Sequence, residues 1–319
     1  MKRFFLFTCF LAFMVETFSQ SVKFAIISDL HPDIMFDTEK RLNDFLSAAQ
    51  KAQVDFIIDL GDFAMVKEKN RKIVNLWNTF SGDKHHVIGN HDTDNCTKEE
   101  YMLFVGMPRR YYSFDKGGMH FIILDPNNLY VDEKYIPYAH GNYFVKSTFR
   151  DYIDSEQIEW LKDDLSKTDK RCVIFSHQSL ENTIQNRELV RKILESENAR
   201  VGYKKVVAAF SGHDHTNYEK VINGIAYIQI NSASDQWVDK TYECKTRFSE
   251  DLYQEYPSLK YVMPWEDCLY AIVEINKKGL ELKGKESKFI PPTPDDLQIP
   301  DDYLSVPLVS YIKDFSFLF

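Results

Sequence analysis

The sequence predicts an α/β protein, built as a layered α-β-β-α sandwich in which two mixed sheets pack face to face and are flanked by helices. The first part of the chain alternates apolar runs with segments of helical periodicity, the order typical of a parallel sheet with crossover helices. Later apolar runs come in pairs around tight turns, as in antiparallel hairpins. No linker rich in Pro, Gly or Ser divides residues 22–290, which favours one domain over two.

The first group of elements consists of three strands and two helices. The strands are near-continuous apolar runs, as expected for strands that are buried on both faces. The helices carry apolar residues three and four positions apart. The predicted strands are 22–28, 54–60 and 86–88, and the predicted helices are 38–52 and 69–80.

The second group combines hairpins with two further strand–helix pairs. We predict hairpins at 111–124, 218–230 and 270–283, strands at 172–175 and 206–210, and helices at 155–166 and 186–195, with Ser155 as the cap of the first of these helices. Two long stretches, 127–154 and 236–267, show neither the periodicity of a helix nor the alternation of a strand. We expect them to be irregular loops that border the strand ends.

The chain is expected to have three parts. Residues 1–19 resemble a secretory signal peptide, because Lys2-Arg3 precedes an apolar run of 12 residues from Phe4 to Val15, which is too short to span a bilayer. We therefore expect an exported protein, periplasmic or extracellular, without a membrane span in its mature form. Residues 20–290 would form the main domain, and residues 291–319 a tail that packs on it or extends it.

Charge and cysteine content narrow the class of protein. The formal net charge is −9, and no basic stripe of the kind that binds nucleic acids is visible, so no nucleic-acid polymer is expected as a partner. Four cysteines follow the signal peptide, without a C-x-x-C pair. Cys244 and Cys268 are the best candidates for a disulfide, although four free thiols are equally compatible with the sequence.

Polar residues that bind metals follow five of the predicted strands. Because ligand-binding groups gather beyond the carboxyl ends of strands in open α/β sheets, we expect these residues to meet. Asp, His and Asn are typical ligands of manganese, iron and zinc. The five strand ends read Asp29-x-His31, Gly61-Asp62, Gly89-Asn90-His91-Asp92, His177 and Gly212-His213-x-His215.

The last of these motifs leaves a geometric question open. In an extended segment, His213 and His215 would point to opposite sides, which argues against a shared metal site. A turn after Gly212 would allow them to converge. His85, His86 and His120 lie outside the motifs and are expected to be structural.

Taken in order, the motifs D-x-H, G-D, G-N-H-D, H and G-H-x-H resemble those of the calcineurin-like metallophosphoesterase superfamily over about residues 22–235. The resemblance implies a site for two divalent or trivalent ions of manganese, iron or zinc. It implies that one ion is held by Asp29, His31 and His215, the second by Asn90, His177 and His213, and that Asp62 bridges the two.

The resemblance also implies the chemistry. A small phosphate monoester or diester, such as a nucleotide, would be hydrolysed by in-line attack of a hydroxide that bridges the metals. His91 is predicted to protonate the leaving oxygen or to stabilise the phosphoryl charge, and Asp92 to fix the tautomer of His91. The alternatives are a metal-dependent nuclease, which the acidic surface disfavours, and a non-catalytic metal-binding module on the same fold, which the complete motifs disfavour.

Two positions bear on the branch of the superfamily. His31 in the first motif, and Met65 three residues after Asp62, resemble the bacterial branch with cyclic-nucleotide phosphodiesterases more than the purple acid phosphatases. Arg109-Arg110 would grip a phosphate or lie on the surface. Several aromatic residues of the long loops are candidates for stacking on a substrate ring, although packing of the loops explains them as well: Tyr130, Tyr135, Tyr138, His140, Tyr143, Trp237, Tyr253 and Trp265.

Overall fold

The computed structural model describes residues 21–319, so the predicted signal peptide lies outside the described residues. The predicted layered α/β architecture is confirmed, because two six-stranded mixed sheets form the body of the protein. No helix within residues 21–319 has both the length and the apolar character needed to cross a bilayer.

The strands and helices of the described residues are as follows. The strands are β1 (Val22–Ile27), β2 (Phe56–Asp59), β3 (Asp83–His86), β4 (Tyr112–Lys116), β5 (Met119–Ile123), β6 (Asn128–Val131), β7 (Lys134–Pro137), β8 (Arg171–Phe175), β9 (Val206–Ser211), β10 (Tyr218–Ile222), β11 (Ile225–Gln229), β12 (Asp235–Trp237), β13 (Val262–Pro264), β14 (Ala271–Ile275), β15 (Gly279–Gly284) and β16 (Phe315–Leu318). The α-helices are α1 (Thr38–Lys51), α2 (Arg71–Trp77), α3 (Lys98–Val105), α4 (Ser155–Ser166), α5 (Arg187–Val201) and α6 (Glu250–Glu255).

Each large sheet has a parallel centre and antiparallel additions. The first sheet runs β16-β15-β14-β1-β2-β3, and its β1, β2 and β3 are parallel, as the alternation of strands and helices predicts. The second runs β10-β11-β9-β8-β5-β4, and its four central strands are parallel. Two small sheets, β6-β7 and β12-β13, lie outside this body.

An aromatic cluster joins the inner faces of the two sheets. The ring of Phe24 on β1 stacks on Phe56 of β2 at a centroid distance of 4.8 Å. The same ring meets the edges or faces of Phe121, Phe175 and Phe210 on the second sheet at 5.7–5.9 Å. Aromatic pairs at these distances add to the energy of burial, so this contact fixes how the sheets face each other.

The helices cover the outer faces of both sheets. On β5, neighbouring residues point to opposite faces, so Phe121 and Ile123 join the inner core while Ile122 packs with Leu161 of α4 and Leu194 of α5. Phe45 of α1 and Trp77 of α2 stack at 5.9 Å over the first sheet. Their positions complete the order helix, sheet, sheet, helix.

Several local predictions are wrong in detail. β3 ends at His86, and Val87 and Ile88 instead form the start of the loop that leads to the motif after it. The cap of α4 is Asp154, whose side chain accepts a hydrogen bond from the amide of Gln157, and Ser155 is the first helical residue. The stretch 127–154 contains the hairpin β6-β7, and 236–267 contains α6 and the strands of the β12-β13 pair.

Candidate active site and metal centre

All seven predicted metal ligands lie beyond the carboxyl ends of parallel strands. They follow β1, β2, β3, β8 and β9, and so come from both large sheets. The structure brings them together at one edge of the sandwich, where the side chains of the two sheets meet. Their side chains are buried or nearly so: Asp29, His31, Asp62, Asn90, His177, His213 and His215.

Left-handed backbone conformations turn these side chains toward each other. Such conformations are uncommon for residues other than glycine and cluster at functional sites. The open question about the last motif is thereby answered, because the backbone of His213 and His215 is left-handed rather than extended, and both imidazoles reach the same site. Five of the seven residues have positive φ: Asp29 (53°), His31 (50°), Asp62 (54°), His213 (74°) and His215 (49°).

One cluster of possible ligands consists of Asp29, His31 and His215. The Nε2 atoms of His31 and His215 are 3.3 Å apart. Asp29 Oδ1 lies 3.4 Å from His215 Nε2 and 3.9 Å from His31 Nε2. These three donor atoms surround one point, as the ligands of a single ion do.

A second cluster consists of Asp29, Asp62 and His177. His177 Nε2 lies 3.2 Å from Asp62 Oδ2 and 3.9 Å from Asp29 Oδ1. Asn90 Oδ1 and His213 Nδ1 extend this cluster, at 3.1 Å and 3.3 Å from the same His177 nitrogen.

Two carboxylates lie between the clusters. Asp29 Oδ1 belongs to both, and Asp62 Oδ2 is 3.7 Å from His31 Nε2 as well as 3.2 Å from His177 Nε2. The sequence predicts only Asp62 in this position. Asp29 lies between the two clusters because of how the two sheets approach each other. A local sequence motif contains no information about that approach.

The donor set fits a pair of metal ions. Asp29 Oδ1 is buried and has no hydrogen-bond partner among the described residues, which is costly unless a cation is near. His177 Nδ1 donates to Leu60 O at 2.8 Å and His215 Nδ1 donates to Asp235 O at 2.6 Å. These bonds turn the Nε2 atoms of both rings toward the clusters, where each can bind a metal once it has lost its proton.

Burial keeps two of the imidazoles neutral. It lowers the pKa of His31 to about 3 and, together with the charge of His177, that of His213 to about 3. A neutral imidazole is the form that binds a metal, so no proton has to leave these two rings when an ion binds.

In two carboxylate–imidazole pairs, the pKa of the imidazole is raised and the pKa of the carboxylate is lowered. Although burial alone would raise the pKa of Asp29 and of Asp62, the charges of His215 and His177 lower both. Against the effect of burial, Asp62 raises the pKa of His177 to about 10 and Asp29 raises that of His215 to about 9. The carboxylates are therefore held ionised, which is the state that binds cations.

His91 lies at the rim of this site, but its partner is not the predicted one. Its Nδ1 lies 2.8 Å from Asp94 Oδ2 and 2.9 Å from the hydroxyl of Tyr143. His91–Thr93 form a 3₁₀ turn, in which the residue three positions on shares the face of the first, whereas the next residue points elsewhere. The prediction that Asp92 fixes the tautomer of His91 is therefore wrong.

Asp92 instead holds two loops together. Its Oδ2 accepts hydrogen bonds from the amides of Asp62 and Gly89 at 3.0 and 2.8 Å, and its Oδ1 accepts one from Ala64 at 3.1 Å. This buried carboxylate fixes the loop that carries Asp62 against the loop that carries Asn90.

Two of the predicted aromatic residues lie near the site. Trp237 has its ring 6.3 Å from those of both His31 and His91, and Tyr143 contacts His91 as described. The others pack away from it; Tyr138, for example, is buried and bonds Asp151. The guanidinium of Arg110 already forms ion pairs with Asp154 and Asp125, at 2.7 and 3.3 Å, and is therefore not available to bind a phosphate.

Sequence reasoning missed Asp94 and Asp235. Asp94 has a local signal, since it follows a site histidine by three positions on a helical turn. Asp235 contacts His215 through its backbone carbonyl. Because every residue has a backbone carbonyl, such a contact cannot be predicted from the residue type. The four cysteines of the described chain are buried free thiols, and the proposed pair Cys244 and Cys268 does not form a disulfide.

Comparisons with known proteins agree with this geometry. The sequence model of the calcineurin-like phosphoesterase family matches residues 22–217. A manganese-dependent ADP-ribose/CDP-alcohol diphosphatase from Arabidopsis thaliana is 24% identical over 208 residues, which cover 52% of this chain and 66% of that relative. The match thus spans just under two thirds of the relative's length.

Solved structures share the fold at low identity. A dimetal phosphatase from Danio rerio superposes with a TM-score of 0.57 at 16% identity, over 84% of this chain and 98% of that one. GAP50, the anchor in the inner membrane complex of Plasmodium, superposes with a TM-score of 0.51 at 17% identity, over 83% and 84% of the two chains. Because the family match over residues 22–217 covers more than half of its length, this chain belongs to the calcineurin-like phosphoesterases.

Proposed function

We propose that this protein is a two-metal phosphoesterase that hydrolyses a small phosphate monoester or diester. The observation that carries the proposal is the pair of buried ligand clusters that share the carboxylate of Asp29. Metal ions bound there would polarise the phosphoryl oxygens and make a water molecule more acidic.

We assign the ligands as the sequence motifs imply, although Asp29 Oδ1 also lies within reach of the second cluster. One ion would be held by Asp29, His31 and His215, the second by Asn90, His177 and His213, and Asp62 would bind both. The position of Asp62 Oδ2 between His31 and His177 supports the bridging role. His91 has Nδ1 occupied by Asp94 and Tyr143, so its Nε2 is the atom that remains to protonate the leaving oxygen.

The substrate class follows from two supporting observations. The relative from Arabidopsis thaliana is named for ADP-ribose and CDP-alcohols, which favours a nucleotide derivative. The half-buried ring of Trp237 lies beside His31 and His91 and offers a face on which a base or sugar can stack.

The same relative is named as manganese-dependent, so manganese is the first metal to test, before iron and zinc. Export, to the periplasm or beyond the cell, is proposed from the sequence of residues 1–19 alone.

A substrate panel tests the proposal. The protein is stripped of metal, reloaded with manganese, iron or zinc, and assayed on 4-nitrophenyl phosphate, bis(4-nitrophenyl) phosphate, ADP-ribose and a CDP-alcohol. We expect metal-dependent hydrolysis of at least one compound, and loss of activity on chelation. If none is hydrolysed with any metal, the proposal is wrong; if single-stranded or duplex DNA is cleaved instead, the nuclease alternative replaces it.

Two variants separate metal binding from proton transfer in the same assay. Asp62→Asn removes the charge between the two clusters and should deplete bound metal, measured by elemental analysis. His91→Asn should retain bound metal while kcat falls on the order of 10²–10⁴-fold, the usual contribution of a general acid. Loss of metal from the His91 variant would contradict the role assigned to His91.

A further inference from the structure

A narrow cleft lies beside the candidate metal centre. One wall belongs to the loop after β1, another to the loop after β2, and the turn that begins with His91 borders the cleft as well. The residues that line it include His31, Asp33, Asp62, Met65 and His91. Because His91 is assigned to the leaving oxygen, the part of a substrate that follows this oxygen would extend into the cleft.

At Asp33, the cleft meets two ammonium groups. Nζ of Lys67 lies 2.9 Å from Asp33 Oδ1, and Nζ of Lys69 lies 3.2 Å from the same oxygen. The other oxygen, Oδ2, accepts a hydrogen bond from the amide of Asn70 at 2.7 Å. Two ammonium groups and one carboxylate leave one net positive charge. The cluster therefore differs from Arg110, whose single charge faces two carboxylates.

The two lysines are the exposed members of this cluster. The side chain of Asp33 is 7% exposed, whereas those of Lys67 and Lys69 are 40% and 51% exposed. An anion that arrives from solvent therefore meets the ammonium groups before the carboxylate. The segment that carries Lys67 is also fixed, because Asn95, just after the turn that borders the cleft, donates a hydrogen bond to Val66 O at 2.8 Å.

We propose that Lys67 and Lys69, held in place by Asp33, form a subsite for the second phosphate of a diphosphate diester, in which both phosphorus atoms share the leaving oxygen. The inference rests on the proposed phosphoesterase function and narrows its substrate class. Ammonium groups bind phosphate as compact point charges. An ester with an uncharged alcohol as leaving group would place nothing negative beside them, whereas a second phosphate brings its charge to the end of the cleft where they lie.

Hydrolysis of such a diester needs only water. The water oxygen forms a bond to one phosphorus while the bond from that phosphorus to the bridging oxygen breaks and leaves its electron pair on the bridging oxygen. That oxygen takes a proton from Nε2 of His91. The attacking water keeps one hydrogen on the new phosphate and returns the other to the ring, so the products are two phosphate monoesters. Lys67 and Lys69 would stabilise the negative charge that grows on the departing phosphate.

Two substrates that differ by one phosphate test the subsite. The manganese-loaded protein is assayed on ADP-ribose and on the 4-nitrophenyl ester of thymidine 5′-monophosphate, which has a nucleoside but a single phosphate. Lys67→Met and Lys69→Met remove the charge and keep an unbranched side chain. Each should lower kcat/KM on the order of tenfold for ADP-ribose and less than about twofold for the other ester. Equal effects on both substrates would overturn the inference.

Matched variants separate charge from structure. Lys72→Met removes a neighbouring exposed lysine that pairs with Glu39 instead of Asp33, and should leave both substrates unaffected. Lys67→Arg and Lys69→Arg keep the charge and should restore most of the activity on ADP-ribose. Elemental analysis should find wild-type metal content in all of these variants. Loss of metal from the methionine variants, or equal losses with methionine and arginine, would contradict a subsite made by the two charges.

Binding without turnover distinguishes this inference from the proposed function. The metal-loaded protein is titrated by calorimetry with AMP and with adenosine 5′-(α,β-methylene)diphosphate, which cannot be hydrolysed between its phosphorus atoms. Wild type should bind the diphosphate analogue on the order of tenfold more tightly, and the Lys67→Met/Lys69→Met double variant should lose this advantage while Lys72→Met keeps it.

The two possible failures give different results. An advantage that is absent from wild type, or that persists in the double variant, would show that the subsite is wrong even when esters are hydrolysed. An advantage that the double variant loses, in a protein that hydrolyses none of the tested esters, would support the subsite and contradict the proposed function.

Discussion

At the scale of single residues, the site depends on close approach of backbone segments. Gly61 has φ of +100°, and a Cβ placed on it would lie 2.6 Å from the amide of Gly89 and 2.8 Å from Nδ1 of His177. The loop before Asp62 can therefore touch the loop before Asn90 only because position 61 has no side chain. Asp92 then bonds both loops, which holds two ligands of different strands at a fixed distance.

Gly61→Ala should lower metal binding more than a matched glycine variant. Gly202 also has a positive φ, of +74°, but a Cβ there meets nothing within 4 Å. Gly202→Ala should lose about 1–2 kcal/mol of stability from the left-handed backbone, and Gly61→Ala should lose more, because its Cβ also clashes with the backbone of Gly89. Only Gly61→Ala should also lose more than half of the bound metal, because His177 must shift. Calorimetry and elemental analysis measure the two effects; equal metal contents would contradict the explanation.

At the scale of elements, a histidine joins a hairpin to a helix. His120 on β5 has Nδ1 2.8 Å from Asp115 Oδ1 of β4 and Nε2 2.8 Å from Asp164 Oδ2 of α4. Both ring nitrogens can donate to carboxylates only when the ring is protonated. Although burial lowers the pKa of His120, these two carboxylates raise it above its ordinary value overall.

The sign of the resulting pH dependence follows from that shift. A raised pKa in the folded state stabilises the fold fully at pH below the unfolded value of about 6.5, and the stabilisation is lost as pH rises through the folded pKa. His120→Gln should therefore destabilise the protein by on the order of 1 kcal/mol in mildly acidic solution and by less in alkaline solution. Urea unfolding at several pH values measures this, with the exposed His140→Gln as control. A constant difference across pH would refute the charged link.

At the scale of the whole molecule, the C-terminal segment joins the two sheets. β16 pairs with β15 of the first sheet. Two cations of the second half of the molecule lie over its aromatic rings. The guanidinium of Arg171, on β8 of the second sheet, lies 5.1 Å from the ring of Phe319. The ammonium of Lys204, in the turn before β9, lies 4.9 Å from the ring of Phe317. Arg171 begins β8, whose other end leads to His177, so these contacts lie at the end of the sandwich opposite to the metal centre.

Removal of residues 314–319 should therefore lower stability without changing metal affinity. The lost strand pairing and two cation–π contacts are worth about 2–3 kcal/mol together, which corresponds to a decrease in Tm of roughly 5 °C. Leu318→Ser is the matched control, because this side chain is 74% exposed and the strand remains. Unchanged Tm in the truncated protein, or weaker metal binding, would show that the segment has a different role.

Local patterns were sufficient for most strands of the two large sheets and for most helices, and they placed the seven candidate ligands at strand ends. An apolar run followed by Asp, Asn or His shows both that a strand ends and that a metal-binding group follows it, and β1 with Asp29 and His31 is an example. The hairpin β6-β7 was not predictable in the same way, because its residues show no clear alternation and it is stabilised by its contacts with neighbouring loops.

The sequence by itself determined the fold class, the residue types of the site and their order along the chain, because these depend on periodicity and on chemistry carried by single residues. Only the tertiary structure decided which atoms face each other. It placed Asp29 in both ligand clusters, gave His91 the partners Asp94 and Tyr143 in place of Asp92, and used Arg110 in an ion pair. Such contacts depend on how closely two sheets and their loops approach each other in space. The residues next to each other in the chain do not determine that approach, so the contacts cannot be predicted from local sequence.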